Sequence, residues 1–333
     1  MSDLPKRGNY SFGGYIELED CGAPPYHGNA IALDSARSCL AYLVELRGIR
    51  SIAIPDLMCD VVAKTLEKYG VEYRHYKIGP EFEPILDFDL MDGEWLYLSD
   101  YFGRLNDDTV QSALRKSRGR LVIDEVQGFF RAPWGNIDTF YTCRKYFGVP
   151  DGAYLVTRDG SGLARELPKC RSLNRMAHIL GRCEMGPSAY YGAYVESEQT
   201  VGENGPERMS EITRRLLSGI DYEFVKKRRE ENYRTLDEVL GTTNLLKDHS
   251  PSGPYMYPYL VDNSTGVRNA LAELSIFIPT LWPNVLTECS EDSLAFCYAE
   301  NVLPLPVDQR YDRGDMEYIA AEIGKIMKDK KGK

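Results

Sequence analysis

The strongest constraint on the fold is an alternation of helix-like and strand-like segments that begins near residue 30. The helical pattern DSARSCLAYLVELRG (residues 34–48) is followed directly by a short buried strand pattern, SIAIP (51–55). The alternation continues with the helical patterns DVVAKTLEKYG and DTVQSALRKSRG, the strand patterns VEYRHYKI, EWLYLSD and GRLVID, and two more strands near DTFYTC and AYLVT. Strands that alternate with helices of ten or more residues are typical of βαβ units. The sequence therefore predicts an α/β fold with a mostly parallel sheet.

The chain of 333 residues is long enough for about two domains. A polar, glycine-rich stretch, SEQTVGENGPERMS, interrupts the pattern around residue 200. Beyond it lie a long helical region (211–241), a strand YMYPYLVD, a helix GVRNALAEL, a strand near NVLPLPV and a final helix DMEYIAAEIGKIM. We expect a large domain over residues 1–200 and a smaller C-terminal α/β domain over residues 201–333.

Composition and charge exclude several classes of function. The net charge of −10, with acids spread along the chain, argues against a nucleic-acid partner. No stretch has the roughly 20 continuous apolar residues of a membrane span, and the first residues contain no apolar run typical of a secretion signal. A cytoplasmic protein without a membrane partner is the expectation. The eight cysteines form no C-x-x-C pair and the four histidines are widely separated, so no metal site is predicted.

Two polar residues follow neighbouring strands of the predicted sheet. Asp124 ends the strand pattern RLVID, and Lys145 comes shortly after the strand pattern TFYTC. In an open α/β sheet, ligands collect at the carboxyl ends of the strands. A lysine that forms a Schiff base and an acid that stabilises a protonated pyridine nitrogen suit pyridoxal phosphate. The start of the first helix, in LDSARS, offers free amides for a phosphate, which makes Ser35 a candidate contact.

Four stretches carry a resemblance to a known family: VIDEVQG, TFYTCRK followed by GVPDG, GPERMSEI, and RREENY. Together they resemble the DegT/DnrJ/StrS family of sugar aminotransferases, from about residue 28 to the end of the chain. The resemblance implies a fold-type I pyridoxal-phosphate-dependent transferase, built as a homodimer. An amino group would pass from a donor such as glutamate to a keto sugar or a nucleotide-linked keto sugar.

The resemblance also implies roles for particular residues. Lys145 would be the catalytic Schiff-base lysine, Asp124 would contact the pyridine nitrogen and Gln127 would lie against the cofactor ring. The remaining expected cofactor contacts are Ala36 and Arg37, through their amides, Thr142, through a hydroxyl on the phosphate, and Cys59, at the position beside the ring.

The sequence departs from the family pattern at two positions, and a third residue has an unfavourable charge. Cys59, in PDLMC, stands where the family usually has an aromatic residue that stacks on the ring. Pro206 replaces an asparagine that reaches toward the phosphate across the dimer. The carboxylate of Asp34 would repel a phosphate bound beside it, unless it caps the helix and points away.

Three more residues are candidates for substrate binding: Tyr26, Tyr101 and Arg310. Tyrosines suit a sugar because they combine an aromatic face with a hydroxyl, and an arginine suits the carboxylate of an amino donor. Two alternatives stay open. One is a pyridoxal-phosphate-dependent dehydratase or lyase on the same scaffold, and the other is a non-catalytic binding or regulatory protein that keeps the fold.

Overall fold

The computed structural model describes residues 14–159, 163–247 and 249–331. Nine strands lie in this part of the chain: β1 (Ile31–Leu33), β2 (Ser51–Pro55), β3 (Glu72–Tyr76), β4 (Trp95–Ser99), β5 (Leu121–Asp124), β6 (Asp138–Thr142), β7 (Ala153–Val156), β8 (Met256–Leu260) and β9 (Val302–Pro306). Six of the first seven strands fall where the alternation predicts them. The sequence gives no prediction for β1, because three residues are too few to show a period.

Eleven α-helices accompany the strands within the described residues: α1 (Ala36–Arg47), α2 (Asp60–Lys68), α3 (Asp107–Lys116), α4 (Ala177–Met185), α5 (Tyr191–Thr200), α6 (Glu211–Ser218), α7 (Tyr222–Leu240), α8 (Val267–Glu273), α9 (Val285–Glu288), α10 (Leu294–Asn301) and α11 (Arg313–Lys331). The long helical region predicted over 211–241 is thus two helices. They separate because the Asp221 carboxylate accepts a hydrogen bond from the amide of Phe224 at 3.0 Å and starts a new helix there.

The first seven strands form one sheet in the order β1-β7-β6-β5-β4-β2-β3. Strands β3, β2, β4, β5 and β6 run parallel to one another, whereas β7 is antiparallel to both of its neighbours. Strands β5 and β6 are buried along their whole length, as expected for a sheet covered by helices on both faces. The predicted α/β class with a large, mostly parallel sheet is confirmed.

A second sheet pairs β8 with β9 in antiparallel fashion. Helix α7 packs against α11 and β8, so this C-terminal part has its own apolar core. The segment after residue 200 nevertheless reaches the large sheet, because the amide of Met209 donates to the carbonyl of Ala32 in β1 at 3.1 Å. The domain boundary at residue 200 stays a prediction.

Helix α1 shows how local sequence sets the ends of an element near the predicted site. The Ser35 hydroxyl accepts a hydrogen bond from the amide of Ser38 at 3.1 Å and so caps the start of the helix. Gly48 ends the helix with φ of 62°, a left-handed conformation that glycine adopts without steric cost. The first turn of α1 is therefore fixed next to the end of β1.

None of the helices in the described ranges combines the length and the apolar character needed to cross a lipid bilayer.

Candidate functional site

The parallel strands bring Asp124 and the Lys145 turn to one edge of the large sheet. Asp124 is the last residue of β5, and in the sheet register it lies opposite Ser99 of β4 and Phe140 of β6. Lys145 lies in the turn that follows β6. Both residues are thus at the carboxyl ends of adjacent strands, where open α/β sheets bind ligands.

Lys145 is open to solvent and is also surrounded by protein atoms, and this surrounding is called the lysine recess below. Its side chain is accessible to solvent, yet surrounding protein atoms desolvate the amine and lower its pKa. The negative charges of Asp124 and Glu198 and the Cys59 thiol act in the opposite direction. Its Nζ lies 5.4 Å from the centroid of the Tyr255 ring. A lowered pKa increases the neutral fraction of the amine, which is the form that reacts with a carbonyl group.

Asp124 is almost fully buried, with 4% of its surface exposed. One carboxylate oxygen accepts a hydrogen bond from the Tyr97 hydroxyl at 2.6 Å, and the other accepts one from the amide of Val126 at 2.8 Å. Burial raises the pKa of Asp124, while the nearby Lys145 lowers it. Since a carboxylate has about four lone-pair positions, one further donor fits beside these two.

Gln127 ties together the loops that follow β4 and β5. Its Oε1 accepts a hydrogen bond from the amide of Phe102 at 2.8 Å. Phe102 adopts φ of 57°, an uncommon conformation for a large residue. The bond therefore holds a strained turn in place at the edge of the sheet.

The start of α1 is covered by the end of α5 and the residues after it. The Arg37 guanidinium donates to the carbonyls of Val201, at 2.5 Å, and Glu198, at 3.2 Å. Gly202 packs so closely that a Cβ there would lie 2.9 Å from the Ser35 hydroxyl. The amides of Ala36 and Arg37 precede the first backbone hydrogen bond of the helix, from Cys39 to Ser35. They are the groups available to an anion at this end.

Glu198 links this covering segment to the lysine turn, and the sequence contains no motif that points to it. Its carboxylate forms an ion pair with Arg144, the residue before Lys145. Its backbone carbonyl accepts the bond from Arg37. A single residue of α5 therefore contacts both ends of the candidate site.

Arg229 of α7 is a second residue that sequence reasoning missed. It is buried, with 1% of its surface exposed, and donates to the carbonyl of Tyr146 at 3.2 Å and to the Gln309 side chain at 3.0 Å. Gln309 in turn donates to the same Tyr146 carbonyl at 2.8 Å. These bonds fix the residue after Lys145 to the C-terminal part of the chain. In the run KKRREENY, nothing local distinguishes this arginine from its solvated neighbours.

The other predicted cofactor contacts have the following surroundings. Thr142 is the buried last residue of β6 and pairs with Ala153 of β7. Cys59 is half-buried just before α2, and burial raises the pKa of its thiol. Cys59 lies near enough to Lys145 for the two groups to interact electrostatically.

The two predicted substrate tyrosines make contacts within the protein. The Tyr26 hydroxyl donates to the carbonyl of Phe130 at 3.3 Å, and its ring belongs to an aromatic cluster with Phe129. Tyr101 is buried and its hydroxyl donates to the carbonyl of Leu57. Tyr101 also lines a cavity of about 180 Å³, which does not include Lys145 or Asp124 in its lining.

Arg310 is exposed on the loop between β9 and α11. Its guanidinium donates to both carboxylate oxygens of Asp308, at 2.7 and 2.8 Å, and this pairing raises its pKa. A substrate carboxylate would have to compete with Asp308 for the same donors. The structure thus brings Lys145, Asp124 and Cys59 together, whereas it gives Tyr26 and Arg310 partners of their own. All these roles stay predictions.

The fold matches solved structures of aminotransferases. A DegT DnrJ EryC1 StrS aminotransferase from Brucella abortus superposes with a TM-score of 0.63 at 13% identity, covering 89% of this chain and 85% of that chain. Spr1654 from Streptococcus pneumoniae, in its PLP form, superposes with a TM-score of 0.65 at 13% identity over 90% and 87% of the two chains. DesI, solved in the presence of its TDP-sugar product, gives 0.63 at 16% identity over 88% and 79%.

No protein-family model matches the sequence, and no curated protein matches it. The structural matches confirm, at the level of the fold, the resemblance to DegT/DnrJ/StrS sugar aminotransferases and the fold-type I class.

Proposed function

We propose that this protein is a pyridoxal-phosphate-dependent aminotransferase that transfers an amino group from an amino acid such as glutamate to a keto sugar carried on a nucleotide. The observation that carries the proposal is that Lys145, in the turn after β6, interacts electrostatically with the buried carboxylate of Asp124 at the end of the adjacent parallel strand β5. A lysine with a lowered pKa and a buried acid at the carboxyl edge of the sheet are the two protein groups that this cofactor needs.

The residues of the lysine end fit the cofactor. When bound, pyridoxal phosphate supplies a reactive aldehyde and a ring that withdraws electrons. Lys145 would hold it through Nζ, and Asp124, oriented by the Tyr97 hydroxyl, would accept a bond from the ring nitrogen. The free amine of Lys145 would then hold and move a proton at Nζ, a role that suits an amine whose pKa is lowered by burial.

The phosphate end fits through backbone groups. The amides of Ala36 and Arg37, at the positive end of the α1 dipole, are suited to a phosphate. Thr142 would add a hydroxyl from the end of β6. The segment around Gly202 lies against Ser35 at this end, so it would shape the space that a phosphate enters.

Tyrosines near the recess support a sugar as the amino acceptor. Tyr255 lies beside Lys145, and Tyr194 of α5 interacts electrostatically with Tyr255. Aromatic faces stack on sugar rings, and their hydroxyls add directional hydrogen bonds. DesI has the same fold, and its structure was solved in the presence of its TDP-sugar product, a sugar linked to a nucleotide.

The first test is cofactor attachment. Purified protein incubated with pyridoxal phosphate should gain a visible absorption band, and borohydride reduction followed by peptide mass spectrometry should place a pyridoxyl group on Lys145. Lys145→Ala should lose the band and the label. The exposed Lys64 supplies the matched control, since Lys64→Ala should keep both. A retained band and label in Lys145→Ala would refute the assignment.

The second test separates classes of acceptor. The protein and glutamate are incubated with nucleotide-linked 3-keto and 4-keto sugars and, separately, with simple 2-keto acids. We expect turnover of a sugar. Turnover of keto acids alone would overturn the proposed acceptor while leaving the cofactor assignment intact.

A non-catalytic protein of the same fold is the second candidate, and the covering of the α1 start favours it. Arg37 and Ser35 are engaged by the chain's own residues 198–202, and the carboxylate of Asp34 adjoins them. Absence of the absorption band, together with absence of turnover on both panels, would support this candidate instead.

A homodimer is expected from the family resemblance. Light scattering at micromolar concentration should give twice the mass of 37.8 kDa. A monomer that binds the cofactor tightly would contradict this expectation.

A further inference from the structure

A cluster of three potential metal ligands lies beside the start of α1, outside the lysine recess. One carboxylate oxygen from Asp34, the Sγ of Cys170 and one carboxylate oxygen from Glu207 all lie within 4.8 Å of one another. Asp34 and Cys170 are buried and Glu207 is half-buried. The three residues are separated by 136 and 37 positions (170 − 34 and 207 − 170), so no local motif reveals them.

Backbone hydrogen bonds fix the positions of the three residues relative to one another. The amide of Asp34 donates to the carbonyl of Glu207 at 2.9 Å, and the amide of Cys170 donates to the carbonyl of Arg208 at 2.9 Å. The segment 207–208 therefore lies between the chain after β1 and the loop that carries Cys170. A site whose ligands are fixed by the main chain loses little entropy when a cation binds.

The cluster has more buried negative groups than positive partners. Asp34 is fully buried; its Oδ1 accepts a hydrogen bond from the amide of Glu207 at 3.3 Å, whereas its Oδ2 has no hydrogen-bond partner among the described residues. Asp151, which interacts electrostatically with both Asp34 and Cys170, is also fully buried, and its Oδ2 likewise has no partner in the part of the chain that is described. Buried carboxylates are normally paired or bound to a cation. Arg175 faces the group as a counter-charge, with Nη2 2.7 Å from the sulfur of Cys170.

A cavity of about 380 Å³ reaches the cluster at Glu207, and its other lining residues are Lys169, Arg171, Asn174, Arg175, Thr200, Glu203 and Asn204. It gives an ion a path from solvent and leaves room for a water ligand. Access and an open coordination position are both requirements of a three-ligand protein site.

We propose that Asp34, Cys170 and Glu207 bind a divalent transition metal ion, with Zn²⁺ as the best match. A thiolate with two carboxylates suits Zn²⁺ and disfavours Mg²⁺ or Ca²⁺, which prefer oxygen ligands alone. Tetrahedral coordination needs donor atoms about 3.5 Å apart, so small side-chain rotations close the site. Arg175 would donate to the metal-bound sulfur as an outer partner.

The ion would also neutralise Asp34 next to Ser35 and the first turn of α1. The sequence-based prediction of no metal rests on the spacing of histidines and on the lack of C-x-x-C pairs, and this site uses neither. Its binding test does not depend on the proposed aminotransferase activity.

The experiment uses the full chain with the exposed Cys21 and Cys183 replaced by serine, so that surface thiols do not bind metal. After treatment with a chelator, this background protein is titrated with Co²⁺ and then with competing Zn²⁺. We expect saturation at one ion per chain, a near-ultraviolet thiolate-to-cobalt band, visible bands of tetrahedral Co²⁺, and their loss as Zn²⁺ displaces Co²⁺. Zn²⁺ should also raise Tm, since it binds only the folded state.

Two variants locate the site, and each has a matched control. Cys170→Ser should abolish the near-ultraviolet band, whereas Cys297→Ser, at a half-buried thiol outside the cluster, should keep it. Glu207→Gln should weaken Zn²⁺ binding by about 100-fold, whereas Glu203→Gln, which alters another acid in the same cavity, should change it less than threefold.

If Cys170→Ser fails to fold, Glu207→Gln still tests the site, because a substitution at a half-buried residue is better tolerated by the fold. The proposal is overturned if the background protein shows no saturable binding, if folded Cys170→Ser keeps the near-ultraviolet band, or if Glu203→Gln weakens binding as much as Glu207→Gln.

Discussion

The two ends of the candidate cofactor site are built in different ways. At the lysine end, Lys145 and Asp124 interact electrostatically, and Lys145 is exposed to solvent. At the α1 end, Ser35 caps its own helix and Arg37 binds the carbonyls at the end of α5. The first end has reactive groups that a ligand can reach, whereas most polar side chains of the second end already have protein partners. A sheet edge can thus supply the reactive groups, while a segment distant in the sequence limits the space that is left for a ligand.

The largest expected effect tests the lysine end. Asp124→Asn keeps the shape of the side chain but removes the charge that faces Lys145, so turnover should fall by about 10²–10³-fold. Tyr97→Phe removes only the hydrogen bond to Asp124 and should cost about tenfold. Steady-state kinetics with the sugar substrate measure both variants. Equal, small losses would mean that Asp124 has only a structural role.

The next effect concerns the attachment of the lysine turn to the C-terminal part. Arg229→Met removes the bonds to Tyr146 and Gln309 and also those to the carbonyls of Pro254 and Tyr255, while Gln309 still donates to Tyr146. The free energy of unfolding should fall by about 3 kcal/mol. Arg228→Met, one residue away and partly exposed, should change it by less than about 0.5 kcal/mol. Urea unfolding measures the difference, and equal values for the two variants would contradict the role given to Arg229.

A smaller effect tests the α1 end. Ser35→Ala removes a helix cap and should cost about 1 kcal/mol of stability. Ser293→Ala removes the equivalent cap of α10, where the Ser293 hydroxyl accepts a bond from Phe296, and should cost about the same. If the Ser35 hydroxyl contacts the cofactor phosphate, only Ser35→Ala should also weaken cofactor binding in a titration. Equal cofactor affinity in both variants would restrict Ser35 to capping.

The smallest expected effect is a shift in the pH dependence of cofactor attachment. It follows from substitution of Glu198, the residue that contacts both ends of the candidate site. Glu198 raises the pKa of Lys145, so Glu198→Gln should lower that pKa. Because cofactor attachment needs the neutral amine, its rate should rise with pH in both proteins, and the rise should move to lower pH by less than about 1 unit in the variant. Glu196→Gln, at an exposed position of the same helix, should leave the profile unchanged. A shift toward higher pH would show that the electrostatic argument is wrong.

Local patterns were sufficient for the fold and for placing two candidate site residues at one edge of its sheet. The strand LVID is mostly apolar, and DTFYT combines β-branched and aromatic residues, so both can be recognised as strands. An acid or a lysine at or just after the end of such a strand falls at the ligand-binding edge by the geometry of parallel sheets. That is why Asp124 and Lys145 could be named from the sequence. Hydrophobic periodicity reports whether a residue faces a core, and it does so within one element.

The α/β class and the mostly parallel sheet therefore follow from the sequence pattern, and the same pattern predicts a lysine and an acid at the sheet edge. Only the tertiary structure decided that Glu198 contacts both ends of the site, that Arg229 is buried, and that Asp34, Cys170 and Glu207 converge. Each of these contacts joins residues that are tens to more than a hundred positions apart in the chain. Such contacts depend on how complete elements pack, and no pattern within a single helix or strand records which distant side chain will arrive there.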